Sequence, residues 1–223
     1  MWLSYLEKLL QAFPFFLKGL WMTVAVSGLS LMGGTLLGFA AGILRASRVP
    51  ILWSVLFAYV DFMRGTPFLV QVFIVFFILP EWGLHLSAFK AAVVSLTLYA
   101  GAYICEIVYG GIVAVPSGQM EAAKASGLTW VQRMRYVILP QAMKTILPPL
   151  VGQYVLLIKD SSVVSVIGVT DVTRVGWFTV QRIPEGLMVF GLVGLLYFAV
   201  CYPLIRLSNA LEKKMRAEGP GGV

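Results

Sequence analysis

Long apolar stretches separated by short polar segments run through most of the 223-residue chain. A helix needs about 20 consecutive apolar residues to cross a hydrocarbon core about 30 Å thick, and most of these stretches reach that length. They do not alternate between apolar and polar positions, as the strands of a membrane barrel do. The pattern predicts an all-α membrane protein with five transmembrane helices, at about residues 17–44, 51–79, 88–113, 143–160 and 186–208.

Two segments outside these spans have a different pattern. In residues 2–13 the apolar side chains lie largely on one helical face, which predicts a helix in the membrane interface. Pro14 is expected to end this helix, because proline lacks the backbone N–H that a helix interior requires. Residues 212–223 are polar and rich in Gly and Pro. We therefore divide the chain into one transmembrane domain over residues 1–211 and a cytoplasmic tail over residues 212–223, whose end is expected to be disordered.

Composition supports the membrane assignment and limits the chemistry. Only 12% of the residues are charged, whereas a soluble domain carries about 25%. The net charge of +7 follows from basic residues in the loops, so we expect membrane lipid and not nucleic acid as a partner. Cys105 and Cys201 lie in apolar stretches and are expected to be packing residues, not a disulfide or a metal pair. No set of residues with catalytic or metal-binding spacing is visible, so neither kind of site is predicted.

Basic residues are concentrated in segments that would lie on one side of the membrane. Cytoplasmic segments of membrane proteins carry an excess of Lys and Arg. This bias predicts an amino terminus outside and a carboxyl terminus in the cytoplasm, and it places residues 114–141 in the cytoplasm. The basic residues on that side are Arg45, Arg48, Lys124, Arg133, Arg135, Lys144, Arg206, Lys213, Lys214 and Arg216.

The segment over residues 114–141 is polar and helix-prone, unlike the spans around it. Alanine is the strongest helix former, and Gly127 permits a sharp change of direction after the alanine-rich part. We expect two short helices at an angle, a shape that can insert into a cleft on another protein. The alternative is an ordinary basic loop that touches lipid headgroups. The expected contacts are Trp130, Met134 and Tyr136 for apolar groups, and Arg133 and Arg135 for polar ones.

Four ordered stretches resemble one protein family. The first resembles the Glu-Ala-Ala signature of bacterial ABC importer permeases, and consists of Glu121, Ala122, Ala123, Gly127, Val137, Leu139 and Pro140. Ile is usual in that family where Val137 stands. The others resemble polar amino-acid permeases of the histidine, glutamine, arginine and glutamate type, and lie at residues 64–71 (Arg-Gly-Thr-Pro, then Leu-Val-Gln), 102–112 (Ala-Tyr, Glu-Ile, Gly-Gly-Ile) and 158–169 (Ile-Lys-Asp-Ser-Ser, then Val-Ile-Gly-Val). The resemblance covers about residues 15–210.

The resemblance implies a type I ABC importer permease of the bacterial inner membrane, paired with a second copy or a close paralogue. It further implies a dimer of ABC ATPase subunits on the cytoplasmic loop and an extracytoplasmic amino-acid-binding protein. The residues assigned to ATPase coupling are Glu121, Ala122, Ala123, Gly127, Arg133, Leu139 and Pro140. The chain has no Gly-x4-Gly-Lys-Ser/Thr phosphate loop. We therefore expect no enzyme activity and no cofactor in the chain itself, with ATP and Mg bound by the partner ATPase.

Ionisable residues inside the second and third spans are candidates for function, because charge is costly in hydrocarbon and is usually paired or functional there. Asp61 and Arg64 are three residues apart, which predicts an ion pair beside a kink at Pro67. Alternatively, Thr66 and the backbone freed by Pro67 line the transport pathway. Glu106 is expected either to bond the glycine-rich turn around residues 110–111 or to belong to an inner gate.

The fourth apolar stretch is short and contains Pro148 and Pro149, a pattern typical of a discontinuous helix at a transport site. Gln153 and Asp160 share a helical face. Asp160 is expected to accept hydrogen bonds from the ammonium or basic side chain of an amino acid. Gln153 and Ser161 would bond its carboxylate, with help from a helix start near Ser161. The alternative is that Asp160 caps that short helix or pairs with the neighbouring Lys159.

The predicted function is the transmembrane permease subunit of an ATP-driven importer of polar amino acids. The predicted substrate-binding residues are Thr66, Gln153, Asp160 and Ser161, and the Asp160 carboxylate weakly favours a basic amino acid. Two alternatives remain open. An ion-coupled secondary amino-acid carrier would need no ATPase partner, and a membrane scaffold or sensor would carry no substrate.

Overall fold

Helices form nearly all of the described part of the protein, which in this computed structural model comprises residues 2–47 and 49–218. Of residues 2–4 and 216–218 only the backbone is described, and the predictions for Arg48 and for the end of the tail (219–223) lie outside the described residues. The α-helices are α1 (Trp2–Ala46), α2 (Pro50–Gly65), α3 (Phe68–Phe73), α4 (Ala88–Val113), α5 (Ser117–Ala125), α6 (Trp130–Arg133), α7 (Leu139–Asp160), α8 (Val172–Val180) and α9 (Gly186–Glu218). Short π and 3₁₀ segments extend α3 over Ile74–Ile78 and Leu79–Trp82, α6 over Met134–Ile138 and α7 over Ser161–Ile167.

Four helical runs of the described residues are long and apolar enough to cross a membrane, and a fifth is bent. The four are Tyr5–Ala46, Ala88–Val113, Trp130–Ile167 and Gly186–Met215. The bent pair, Pro50–Gly65 and Phe68–Trp82, turns by 108°. The turn lies at Pro67, because proline excludes helical backbone from the residue before it, and Thr66 is accordingly extended with φ −116° and ψ 147°. The predicted all-α membrane fold and the kink at Pro67 are confirmed.

The amino-terminal segment is not a separate helix. The prediction that Pro14 ends a helix over residues 2–13 is wrong, since α1 continues through Pro14 as one helix of 45 residues. An interior proline destabilises a helix by about 3 kcal/mol. Leu9 and Phe16, on either side of Pro14, are both buried in one cluster with residues of α8 and α9. Packing on both sides of the proline therefore holds the helix together.

The core of the fold is the contact between α1 and α4. A Cβ atom at Gly34 would lie 2.4 Å from the Cβ of Ala100, and one at Gly38 would lie 2.5 Å from the Cβ of Ile104. Small residues let helix backbones approach this closely in lipid, where dispersion contacts replace the hydrophobic effect as the driving force. α4 also packs against α2, α3 and α7, so it is the central helix of the described structure. Cys105 on α4 is buried with a free thiol, as predicted.

An ion cluster joins the ends of α1 and α2 to α4. Arg45 Nη1 lies 2.6 Å from Glu106 Oε2, and Arg64 Nη1 lies 3.4 Å from the same oxygen. The Arg45 guanidinium also stacks on the ring of Tyr109 at 4.3 Å. One carboxylate is therefore shared by two arginines from different helices. Such sharing stabilises the carboxylate and leaves the cluster with a net positive charge.

Two predictions about these charged residues are wrong. Arg64 pairs with Glu106 on α4, and Asp61 is exposed and forms no ion pair with any residue that the structure describes. Glu106 does not bond a turn at residues 110–111, because α4 remains helical as far as Val113. The crossing of α2 over α4 decides the first outcome, since it brings the Glu106 carboxylate closer to Arg64 than the carboxylate three residues away in sequence.

The fourth span is also continuous where a break was expected. The prediction of a helix broken at Pro148 and Pro149 is wrong, because both lie inside α7. Ile146 and Leu150 flank the prolines and are buried in the same core as α4. As at Pro14, tertiary packing on both sides maintains the helix. The change of backbone form comes later, where α7 passes into the 3₁₀ segment at Ser161.

A buried polar junction ties α8 to α1 and α9. Asp171 caps α8, because its Oδ1 accepts a hydrogen bond from the N–H of Arg174 at 2.9 Å. Its Oδ2 accepts one from the hydroxyl of Tyr197 on α9 at 3.0 Å. The hydroxyl of Thr23 on α1 accepts a bond from the N–H of Val172 at 3.2 Å. Burial raises the pKa of Asp171 above its ordinary value, against the hydrogen bonds, which lower it.

Replacing Gly38 with Ala should destabilise the protein, because the new methyl group would overlap Ile104 close to its backbone. Overpacking of this kind costs about 1–3 kcal/mol. Thermal unfolding of the purified chain in detergent measures the effect. Gly28→Ala on the same helix is the matched control, since nothing lies within 4 Å of a Cβ there. Equal unfolding temperatures for the two variants would contradict the close α1–α4 contact.

Replacing Glu106 with Gln should leave two arginines without a shared carboxylate. We expect a loss of about 1–3 kcal/mol, less than the 3–5 kcal/mol of a fully buried pair, because the Glu106 side chain is 36% exposed. Unfolding in detergent again provides the measurement, with Asp61→Asn as a control that removes an unpaired carboxylate. The double variant Arg64→Gln/Glu106→Gln should recover part of the loss; strict additivity would argue against the shared pairing.

Candidate transport pathway and coupling surface

The break between α2 and α3 is closed by a glutamine that the sequence interpretation did not single out. Gln71 Nε2 donates to the carbonyl of Met63 at 2.8 Å and to the hydroxyl of Thr66 at 2.9 Å. The Thr66 hydroxyl in turn donates to the carbonyl of Phe62 at 2.8 Å. Gln71 is buried. A lone amide four residues after a proline in an apolar stretch was the available signal, because the backbone groups freed by the break need partners.

Asp160 and Ser161 lie where α7 becomes a 3₁₀ segment. A 3₁₀ helix begins at Ser161, as predicted, but it continues α7 directly, so the N–H of Ser161 is already bonded to the carbonyl of Leu157 and Asp160 does not cap it with its side chain. No salt bridge joins Asp160 to Lys159 within the described part of the chain. Ser161 is buried, and its hydroxyl donates to the carbonyl of Ile158 at 2.7 Å. Asp160 is half-buried, so its carboxylate remains open to a ligand.

The predicted substrate residues lie on elements that contact one another. α3, which begins just after Thr66, packs against the 3₁₀ segment that begins at Ser161. Gln153 is buried on α7, seven residues before Asp160. That spacing places it on the same helical face, about 10 Å away along the axis. Thr66, Asp160 and Ser161 therefore belong to one region at the junction of α3, α4 and α7.

An aromatic row on α4 extends from this region toward the ion cluster. The rings of Phe68 and Tyr99 lie 4.7 Å apart, and those of Tyr99 and Tyr103 lie 4.9 Å apart. The guanidinium of Arg64 lies 5.6 Å from the Tyr103 ring centroid. Tyr99, Tyr103 and Glu106 recur at helical spacing, so one face of α4 carries polar and aromatic groups between the α2–α3 break and the cluster. The sequence interpretation noted Tyr103 only as part of a motif and missed the row.

The segment between α4 and α7 turns sharply at Gly127, as predicted. Gly127 has a φ of +77°, a left-handed conformation that side chains with a Cβ rarely adopt. α6 then begins with a capping box, in which the Thr129 hydroxyl accepts a hydrogen bond from the N–H of Gln132 and the Gln132 side chain accepts one from the N–H of Thr129. Glycine and capping box together set the angle between α5 and α6.

The exposure of this segment corrects two of the expected contacts. Met134 is buried in the main core and is not available to a partner, and Ala123 is buried as well. The second of the two predicted short helices is α6. It is not isolated, because it continues through the π segment into α7. Of the remaining predicted coupling and contact residues, Arg133, Leu139 and Trp130 are half-buried, and Glu121, Ala122, Gly127, Arg135, Tyr136 and Pro140 are exposed.

Known proteins match about nine-tenths of this chain. It is 36% identical over 207 residues to the probable glutamine ABC transporter permease protein GlnM of Bacillus subtilis, covering 93% of this chain and 96% of the relative. It is 36% identical over 206 residues to the arginine transport system permease protein ArtQ of the same organism, covering 92% and 94%. The crystal structure of an amino acid ABC transporter with histidines has a TM-score of 0.84 at 33% identity, covering 92% of this chain and 96% of that one. The inward-facing MetNI methionine ABC transporter has a TM-score of 0.74 at 23% identity, covering 90% and 96%, which is a likeness of fold alone.

Residues 34–217 match the family described as the binding-protein-dependent transport system inner membrane component. This range includes the α2–α3 break, the aromatic row, the turn at Gly127 and Asp160. The four stretches that carry the sequence resemblance also lie inside it. The family match and the relatives together establish that the chain belongs to this family, as an ABC importer permease for amino acids.

Proposed function

We propose that this chain is the membrane-spanning subunit of an ATP-driven importer of polar amino acids, and that it couples to a separate ATPase through α5, Gly127 and α6. One observation carries the proposal. The helical run Trp130–Ile167 begins at the exposed turn after Gly127 and ends just beyond Asp160 and Ser161. The α6 part of the candidate coupling surface and two candidate substrate residues therefore lie on one continuous helical element.

A continuous helix transmits a displacement from one end to the other. Movement of α5 and α6 by a docked ATPase would act on Met134 and Ile138, which are buried in the core and continue into α7. α7 also packs against α4 and α9, so the motion would reach the helices around the pathway. ATP would drive such a change only if the ATPase bound one arrangement of these helices more tightly than the other.

The substrate site would use Asp160 as its charged group. The hydroxyl hydrogens of Thr66 and Ser161 are already donated to the carbonyls of Phe62 and Ile158, so both hydroxyls can act toward a ligand only as acceptors. Together with the Asp160 carboxylate they would suit an ammonium or a guanidinium. This alters the expected role of Ser161, which was to donate to the substrate carboxylate. Relatives of this chain are named for glutamine and for arginine. Both amino acids have an ammonium that fits this set, and arginine also has a guanidinium.

The surrounding assembly follows from the orientation and the family. We place the protein in the inner membrane with its amino terminus outside, because this puts the coupling segment on the cytoplasmic side with ATP and Mg on the partner ATPase. A second copy or a paralogue would complete the pathway, and an extracytoplasmic binding protein would deliver the amino acid. An ion-coupled secondary carrier is the rival function. It predicts uptake that an uncoupler abolishes while ATP stays high, whereas the ATP-driven importer continues to transport.

Replacing Gly127 with Val should separate the permease from its ATPase. A non-glycine residue in the left-handed region costs about 1–2 kcal/mol, and a β-branched residue costs more. We expect co-purified ATPase to fall by roughly tenfold, with loss of uptake and normal membrane insertion. Gly191→Val is the control, since Gly191 is exposed, without close neighbours and lies in α9, outside the coupling surface. Unchanged ATPase recovery with Gly127→Val would remove this turn from the coupling surface.

Replacing Asp160 with Asn should weaken uptake of cationic amino acids more than uptake of neutral ones. Loss of a hydrogen bond to a charged group costs about 1.5–3 kcal/mol, which is a ten- to hundredfold rise in the concentration for half-maximal uptake. Uptake of labelled arginine and glutamine into proteoliposomes with the ATPase and binding protein measures this. Asp61→Asn serves as the control. If both substrates are taken up as by the wild type, Asp160 has only a structural role.

A further inference from the structure

We propose that a cavity between the amino-terminal part of α1 and the end of α8 binds an anionic phospholipid. The cavity has a volume of about 860 Å³, enough for a headgroup and the first part of an acyl chain. The lining residues that decide its chemistry are Lys8, Gln11, Phe15, Phe178, Gln181 and Arg182. None of these residues belongs to the coupling surface or to the substrate site.

The packing of α8 on α1 gives this cavity a polar end and an apolar end. A Cβ at Gly19 would lie 3.0 Å from the carbonyl oxygen of Asp171, whereas Leu9 shares a buried cluster with Ile183. Residues nearer the start of α1 therefore face residues nearer the end of α8. This order brings Lys8 to the end of the cavity where residue 182 lies, and the phenylalanines at 15 and 178 to the other end.

The polar end has the charge that a phosphate requires. Lys8 and Arg182 are both exposed cations, and none of the described residues that line the cavity is a carboxylate. Arg182 forms no ion pair with any residue that the structure describes. Gln11 and Gln181 add amide donors beside them. Arginine binds phosphate oxygens through two parallel N–H groups, and lysine adds a compact positive charge.

Apolar helix surface and a lysine lie close to the cavity. The uncharged run of α9 begins at Leu187, which is 87% exposed, directly after the loop that carries Arg182. The ammonium of Lys18 lies 6.0 Å from the Phe15 ring centroid. Since α1 side chains point toward its start, Lys18 extends along the helix toward the cavity, as lysines near a membrane boundary do. In a bilayer the cavity would therefore lie at the headgroup region on the amino-terminal side of α1.

A phospholipid accounts for both ends of the cavity, whereas an acidic side chain of another protein accounts for only one. A carboxylate would neutralise Lys8 and Arg182 but would cover neither Phe15 nor Phe178, whose side chains are 60% and 44% exposed. A phosphate with an acyl chain would meet the cations and cover the two rings. Basic groups near a bilayer surface attract anionic lipid by about 1 kcal/mol each. The chemistry therefore favours a lipid such as phosphatidylglycerol.

Lipid retention by the purified full-length chain tests this proposal. The chain is exchanged into neutral detergent, mixed with phosphatidylglycerol or phosphatidylcholine of the same acyl chains, and examined by native mass spectrometry. We expect the wild-type chain to retain phosphatidylglycerol. The double variant Lys8→Gln/Arg182→Gln should bind this lipid roughly thirtyfold more weakly, about fivefold for each charge removed. The control variant Lys90→Gln, which removes a positive charge at the start of α4, should retain phosphatidylglycerol as the wild type does. The variant Phe15→Ser, at an exposed position, should weaken the binding of long-chain phosphatidylglycerol and leave the thermal stability of the protein unchanged.

Several results would overturn the proposal. Equal retention of the two lipids, or full retention of phosphatidylglycerol by the double variant, would show that the cations do not select an anionic lipid. Competition by glycerol 3-phosphate at the same concentration as phosphatidylglycerol would assign the cavity to a small phosphate. Loss of receptor-dependent uptake in the double variant with unchanged lipid retention would assign it to an acidic protein surface. Because the lipid-retention and competition readouts require neither the ATPase nor Asp160, they are independent of the proposed coupling and substrate site.

Discussion

The close approach of the α1 and α4 backbones determines where the other elements of this structure lie. Gly34 and Gly38 leave no room for a side chain between the two helices, so their contact is made by backbone and small groups. In lipid this contact cannot rely on the hydrophobic effect and depends on packing. It also brings Arg45, at the end of α1, to Glu106 on α4. The same carboxylate then holds Arg64, which sets the position of α2 and of the break that follows it.

The sequence predicted the fold class and the turn at Gly127 because both depend on local chemistry. Apolar length decides which helices can span a membrane, and a positive φ favours glycine wherever the chain must turn sharply. The interruptions at Pro14 and at Pro148 were predicted from the same local logic and were wrong. At both prolines the flanking residues are buried on the same side of the helix. Packing between distant segments outweighs a local penalty of about 3 kcal/mol, and a single sequence does not display those distant partners.

The candidate site was predictable in its residue types and not in their hydrogen bonding. Asp160 was identified because it follows a short, proline-containing apolar stretch and shares a helical face with Gln153, and the structure leaves it half-buried. The hydroxyl of Ser161 looked like a donor for a substrate carboxylate, but it already donates to the carbonyl of Ile158. Gln71 looked like one more motif residue, but it closes the break beside Thr66. Whether a polar group is available to a ligand depends on backbone geometry around it, which motif spacing does not specify.

The continuity of the helical run Trp130–Ile167 limits where this protein can change shape. A packed helix moves as a unit, so a rearrangement is taken up at the few positions where the backbone is not helical. Three such positions surround the candidate pathway: the turn at Gly127, the extended residue Thr66 before Pro67, and Gly168 with φ +102°. Gly127 precedes the run and Gly168 follows it. Thr66 lies just before α3, which packs against the 3₁₀ segment at the end of the run. A displacement that enters at Gly127 would be taken up at non-helical positions such as Gly168 and Thr66, which adjoin the elements that carry Asp160 and Ser161.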